Sequence, residues 1–246
     1  RMPIDRNAFF SEMNACFSEN GFSSLLSKQK NDKFLLLTEH LLSENEKYNL
    51  TAITDPSEIV FRHYVDCAPL ARLLPKGAQV IDVGCGAGFP TLPLALLRED
   101  VTVTAVDSTE KKVRFVGECA KLLGLTNVQT RTARAEDLGH DDAFREKFDV
   151  AVSRAVAAMR LLVELCLPLV RVGGRMIAMK GKNAIFEARE AKRGISLLGG
   201  KLAEGDILTL KYRGEVFERP LLTVDKISRT PTAYPRAYAQ ISKKPL

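Results

Sequence analysis

The chain has 246 residues, 46% hydrophobic and 27% charged, enough for one well-filled core with a smaller extension. Its formal net charge of +6 is uneven: basic and acidic residues number 9 and 10 over 1–78, 11 and 13 over 79–170, and 16 and 7 over 171–246. No apolar run approaches the roughly 18 residues that span a bilayer, and no basic-then-apolar leader opens the chain, so the expectation is a cytoplasmic protein with no membrane partner. Arg1, which precedes Met2, is set aside from the fold argument. The five cysteines, Cys16, Cys67, Cys85, Cys119 and Cys166, are scattered without a C-x-x-C pair, which predicts buried, inert thiols rather than a disulfide framework or a metal site.

Taken in chain order, residues 7–48 read as helices, because Phe34, Leu37, Leu41 and Tyr48, with Leu35 and Leu42 beside them, recur at three- and four-residue spacing among charges. In "TDPSEI", Asp55 is placed to cap a helix, Pro56 to fill its first position and Glu58 to complete a capping box, which predicts a helix to about Leu74. "LPKG" at 74–77 interrupts the chain. From Gln79, the β-rich runs "QVIDV", "VTVTAVD", "NVQTRTA", "FDVAVS" and "RMIAMKG" alternate with stretches long enough for crossover helices, the pattern of a parallel sheet covered on both faces. One more helix follows Gly181, then "DILTLKY" and "RPLLTVDKI", joined by so few residues around Gly214 that the pair must be antiparallel. Three parts are expected: a helical extension over 1–76 packed on the core, a ligand-binding α/β core over 77–225, and a basic tail over 226–246.

In "QVIDVGCGAGFPTLPLA", residues 79–95, a strand ends at an acid and gives way to alternate glycines that open a helix. Asp82, Gly84, Gly86 and Gly88 thus stand where a nucleotide-like ligand approaches backbone amides at a helix N-terminus. Phe89 occupies the place where a dinucleotide fingerprint would carry a small residue, and no Gly-Lys-Ser/Thr follows to make a phosphate loop. Asp107, with Ser108 after it, ends the next strand, where a carboxylate can accept hydrogen bonds from ribose hydroxyls. Ala135 and Glu136 follow the third strand, placed to flank an adenine ring. A lone G-x-G is as well explained by a tight turn; acids at the ends of consecutive parallel strands favour the ligand.

This constellation resembles the class I S-adenosylmethionine-dependent methyltransferases, whose Rossmann-like sheet is seven-stranded and mostly parallel with an antiparallel terminal strand. The segments "NEKYNLTAITDPSEIVFRHYVDC", "IDVGCGAGFPTLPLA", "VDSTEKKVRFV", "RAED", "DVAVSRAVA" and "GGRMIAMKG", with a "YPR…KKPL" ending, are similar to the RsmG family, also called GidB. The resemblance covers most of 45–182 and the tail. It implies S-adenosyl-L-methionine as cofactor and methylation of guanine nitrogen-7 at one position of 16S ribosomal RNA in the small ribosomal subunit, by a protein expected to be a monomer. It places the family's cofactor contacts on Gly84, Phe89, Asp107, Ala135, Glu136 and Arg154. The sequence departs in Cys85, where threonine is common, Thr91, where glycine is common, and "AYAQIS", where the tail often reads glycine-x-proline. The first two bear on cofactor affinity and the third on the tail's conformation.

Guanine nitrogen-7 has a free lone pair, so its methylation needs alignment of two reactants and no general base. Arg154, after "FDVAVS", is the candidate for positioning: it contacts the cofactor or reads the guanine edge, a structural salt bridge being the alternative. His63 either closes the cofactor pocket or is a satisfied helix histidine, and Cys166 sits mid-helix as core. Lys180, Lys182, Arg229, Arg236, Lys243 and Lys244 are candidates for phosphate contacts, with solvated charge as the other reading. From Lys226 onward five basic residues meet no acid in sequence. They suit a polyanion, although Pro231, Pro235 and Pro245 also fit a segment strapped along the core. A small-molecule methyltransferase and a non-catalytic ribosome-assembly factor are the competing functions; the basic last third disfavours the first and the intact glycine loop the second.

Overall fold

The computed structural model describes residues 3–203 and 207–246; Arg1, and Asp206 at the head of the expected strand "DILTLKY", lie outside the described residues. The first helix, α1 (Arg6–Glu19), is capped by Asp5, whose carboxylate accepts from the Ala8 amide. The second, α2 (Lys28–Tyr48), is capped by Ser27 and stops where Asn49 turns left-handed at φ 49°. Phe34, Leu37 and Leu41 are buried as their spacing predicts, but Tyr48 at the helix end is exposed, with the Lys111 ammonium 4.0 Å over its ring.

The helix expected from Pro56 to about Leu74 exists but is not uniform. It begins as α3 (Pro56–Ile59) with Asp55 accepting from the Glu58 amide, widens into a π turn over Val60–Tyr64, tightens into a 3-10 turn over Val65–Cys67, and resumes as α4 (Ala68–Leu73). Pro69 accounts for the 3-10 turn, since it lacks an N–H and its ring crowds the Val65 carbonyl four residues back, which accepts instead from the Ala68 amide. Glu58 does not complete a capping box; its side chain accepts instead from Arg62 Nε at 2.5 Å.

Among the described residues the sheet has eight strands rather than the expected seven: β1 (Gln79–Val83), β2 (Thr102–Asp107), β3 (Val128–Thr132), β4 (Phe148–Arg154), β5 (Val170–Met179), β6 (Gly200–Leu202), β7 (Ile207–Tyr212) and β8 (Glu215–Lys226). Their order is β3-β2-β1-β4-β5-β8-β6, with β7 hydrogen-bonded to β8. The first five pair in parallel, and β8 runs antiparallel to β5, β6 and β7. The antiparallel strand is therefore the last in sequence but not at the sheet edge. β6 has only three residues, too few for a pattern to show, and pairs Gly200–Leu202 with Lys226–Val224. The tight β7–β8 turn uses Arg213 and Gly214, both at positive φ, as a short hairpin of right-handed strands requires.

Alternation along the strands divides the core. Val80, Val103, Val150 and Val152 pack with the N-terminal helices, α5 (Thr91–Leu97) and α6 (Glu110–Leu122), so the extension shares one apolar cluster with the sheet. Ile81, Val106, Ala151 and Met176 face the other way, onto α7 (Ala135–Leu138), α8 (Met159–Cys166) and α9 (Ala184–Leu197). The chain leaves β1 toward β3 and returns to β4, which opens a crevice at the carboxyl ends of β1 and β4.

The tail crosses the second face as a strap. Lys226 is only 1% exposed, and its Nζ donates to the carbonyls of Leu167 and Val170 while pairing with Glu146 at 3.1 Å. Arg145 donates to the carbonyls of Thr230 and Tyr234, and Arg236 grips Glu164. A final short helix, α10 (Tyr238–Lys243), buries Ile241 in the same cluster. The acids missing from the tail's own sequence are supplied by the core.

Candidate active site

A cleft of about 650 Å³ opens at the carboxyl ends of β1, β2 and β4. Gly84, Gly86, Phe89, Asp107, Ser108, Ala135, Glu136 and Arg154 line it; Asp82 and Gly88, expected with them, do not. Gly88 serves packing, since a Cβ there would lie 2.7 Å from Leu92. Asp82 is wholly buried beneath the loop, where its Oδ2 accepts from the amide and hydroxyl of Thr91 at 3.2 and 2.6 Å. Thr91 thus ties α5 to β1 with a side chain that glycine would lack. Burial pushes the Asp82 carboxyl up to about 6 against those hydrogen bonds.

Asp107 fixes the loop through both carboxylate oxygens: Oδ2 accepts from the Gly86 amide at 3.0 Å and Oδ1 from the Thr109 amide at 2.9 Å. Each oxygen keeps a second acceptor site for a ribose hydroxyl. Gly86 takes φ 54° and a Cβ built on it meets nothing within 4 Å, so the space above the loop is open. The fit to an S-adenosylmethionine is carried by this open space, which a side chain at Gly86 would fill and which Asp107 and the loop amides border. Asp82 Oδ1, a buried acceptor without a partner among the described residues, lies beneath the loop and outside the cleft.

Arg154, at the end of β4, joins the sheet to the helical extension. Its Nη1 donates to the Arg62 carbonyl at 3.1 Å, its Nη2 to His63 Nδ1 at 3.0 Å, and its guanidinium lies 5.6 Å from the Phe89 ring centre. His63 is stacked on Phe89 at 4.4 Å and 9°. Because arginine only donates, Nδ1 is the acceptor and the ring proton sits on Nε2, facing Thr51 Oγ1 at 3.1 Å. Both ring nitrogens are engaged. Burial first, and then Arg154, push the His63 value down to about 3, so the ring is neutral and is not a free proton acceptor.

The unfolded chain binds the His63 proton more readily than the folded one. Its contribution to stability is therefore complete above the ordinary value near 6.5 and is lost as pH falls toward 3, at about 1.4 kcal/mol per unit. Chemical denaturation between about pH 7 and pH 4.5 is expected to show a loss of about 2–3 kcal/mol through this group. Asp82 acts in the opposite sense, its contribution being lost as pH rises through about 6. Comparison with His63→Gln isolates the histidine, and an equal acid loss in that variant would contradict the assignment.

The phosphate candidates separate. Lys182, Arg229, Lys243 and Lys244 are exposed. Lys180 is not free: its Nζ donates to the Ala157 carbonyl at 2.6 Å and pairs with Glu187 at 2.8 Å. Arg236 is likewise spent on Glu164. The five thiols are buried and unpaired by disulfides, and burial raises those of Cys67, Cys85, Cys119 and Cys166 far above the reactive range. Sequence reasoning missed Leu50, Thr51, Lys112, Leu165 and Tyr238 on the cleft wall. Tyr238 comes from the atypical "AYAQIS" stretch, which forms α10 where a glycine-x-proline would not favour a helix.

Fold and cleft together define a class I S-adenosylmethionine-dependent methyltransferase. The GidB family, described as rRNA small subunit methyltransferase G, matches residues 30–212. A ribosomal RNA small subunit methyltransferase G of Clostridium perfringens (strain 13 / Type A) is 46% identical over 222 residues, covering 89% of this chain and 92% of the relative. That of Clostridium tetani (strain Massachusetts / E88) is 38% identical, over 97% of this chain and 99% of its own. The chain belongs to the rRNA small subunit methyltransferase G family. Among solved structures, M. jannaschii TYW2 in complex with AdoMet shares the fold at 17% identity and a TM-score of 0.51, covering 67% of this chain and 76% of that one.

Proposed function

We propose that the protein methylates nitrogen-7 of one guanine in 16S ribosomal RNA, acting as a cytoplasmic monomer on the small ribosomal subunit. Bound S-adenosylmethionine supplies an electrophilic methyl group. Asp107 and the amides of the glycine loop hold the nucleoside end, Ala135, Glu136 and Leu165 wall it, and Phe89, backed by His63, shapes the end nearest Arg154. The observation that carries the reading is the engagement of His63 through both nitrogens beside Arg154. A reaction that begins with proton removal would need that group free, whereas nitrogen-7 attacks with its own lone pair. Lys182, Arg229, Lys243 and Lys244 are the candidates for phosphate contacts, and this cationic surface favours RNA over a small substrate.

Purified protein, small subunits with unmethylated 16S RNA and labelled cofactor test the reading, with the methylated base mapped chemically. One 7-methylguanine is the expected product; incorporation at another atom, or none, would refute it. Asp107→Ala is expected to weaken S-adenosylhomocysteine binding roughly ten- to hundred-fold by calorimetry, since hydrogen bonds to a charged carboxylate contribute about 1.5–3 kcal/mol. An unchanged dissociation constant in the folded variant would remove Asp107 from the site.

A further inference from the structure

A second cavity, of about 670 Å³, adjoins the cofactor cleft. His63, Arg154, Ala155 and Val156 line both, so the two spaces share a wall. Asp66 and Arg219 line the second cavity only. Arg219 comes from β8 and its Nε donates to Asp66 Oδ1 at 2.6 Å, while Asp66 Oδ2 lies 4.0 Å from Arg154 Nη1. The Asp66 side chain is only 10% exposed and that of Arg219 is 27% exposed. Among the described residues, the two terminal nitrogens of Arg219 make no hydrogen bond, so a residue lining this concave space keeps four N–H donors, while the two carboxylates that line it, Asp66 and Glu187, already hold partners: Arg219 Nε for the first, Lys180 and the Met159 amide for the second. At the shared wall Ala155 takes φ 53°, a left-handed conformation uncommon for a residue with a side chain and typical of places where function holds the backbone.

We propose that this second cavity receives the target guanine, turned out of the RNA, with the terminal nitrogens of Arg219 donating to its O6. The assignment rests on the guanine reading above and names the residues that would select the base. A direct methyl transfer needs two adjoining pockets that present their reactive atoms to each other, and the shared wall at Arg154–Val156 is where these two meet. O6 and nitrogen-7 lie side by side on one edge of guanine, whereas adenine offers an amino donor in place of O6. An arginine that takes O6 therefore rejects adenine and leaves the nitrogen-7 lone pair free to face the cofactor. The nitrogen-7 to carbon bond forms as the carbon–sulfur bond breaks, and the bonding pair stays on sulfur. The positive charge passes from sulfonium to the base, and no proton moves. Enclosure of an unstacked base follows the general practice of enzymes that act on one nucleobase.

Arg219→Gln removes the charged fork, and Ala158→Trp places an indole in the second cavity from an exposed position that does not line the cofactor cleft. Each full-length variant is assayed with small subunits carrying unmethylated 16S RNA, and S-adenosylhomocysteine binding is measured by calorimetry. Both are expected to lose methyl transfer at least tenfold while cofactor affinity stays within about twofold of the unaltered protein. Should Arg219→Gln lose its fold because Asp66 is left unpaired, Ala158→Trp carries the test alone. Unimpaired transfer by folded Ala158→Trp, or by both variants, would overturn the pocket assignment and leave the guanine reading standing. Failure of the unaltered protein to methylate the subunits would overturn that reading, and this assignment with it.

Discussion

Gly86→Val is expected to abolish S-adenosylhomocysteine binding in calorimetry while circular dichroism and thermal melting show a protein still folded. The backbone at Gly86 is left-handed at φ 54°, its amide is held by Asp107, and nothing stands within 4 Å of a Cβ built there. A valine side chain would not collide with the protein; it would fill the volume a ligand must enter. The left-handed conformation costs a branched residue about 1–2 kcal/mol, enough to lower the melting temperature by a few degrees and too little to unfold a domain of ordinary stability. Loss of fold and binding together would mean that the glycine serves the turn alone. Retained binding would mean that the ligand does not approach this backbone.

Arg236→Ala is expected to destabilise the protein by about 3–5 kcal/mol and to lower its melting temperature by about 10 °C, without changing the salt dependence of RNA binding. The Glu164 side chain is completely buried and accepts from the amide, Nε and Nη2 of Arg236 at 2.8, 2.9 and 2.8 Å. Truncating the arginine leaves a buried carboxylate with one backbone donor. Replacing both partners, Glu164→Leu with Arg236→Leu, should recover much of the loss, because the penalty comes from the stranded charge. If Arg236→Ala melted normally and flattened the salt slope, the arginine would be a phosphate contact after all, and the tail an RNA-binding arm.

The floor of the cleft was legible because its determinants are local. Gly84, Gly86 and Asp107 sit at strand ends, and the hydrophobic pattern locates those ends without knowledge of the packing. Roles set by partners from distant parts of the chain were not legible. Lys180 and Arg236 read as free cations because Glu187 and Glu164 join them only in the folded structure, and Lys226 read likewise until Glu146 met it. Asp82 belonged to the glycine motif in sequence, yet Thr91 draws its carboxylate under the loop. Tyr238 carried no signal at all, since only the path of the strap brings it to the cleft. β6 escaped because three residues hold no period, and the π turn because a hydrophobic pattern reports a helix without reporting its pitch.

The position of β8 between β5 and β6 governs how the protein can assemble. β5 ends at Met179, yet its outer edge is matched by Leu221–Asp225, some forty residues further along the chain, and β6 has no strand partner but β8 among the described residues. In a growing or partly folded chain, the wholly buried Met176, Ile177 and Ala178 therefore lie on an open strand edge while the last hairpin is absent. Such an edge is a template for a strand from another molecule. Changes that weaken the β7–β8 hairpin, far from the glycine loop, would thus reveal themselves first as aggregation during synthesis and not as a catalytic defect in the mature protein.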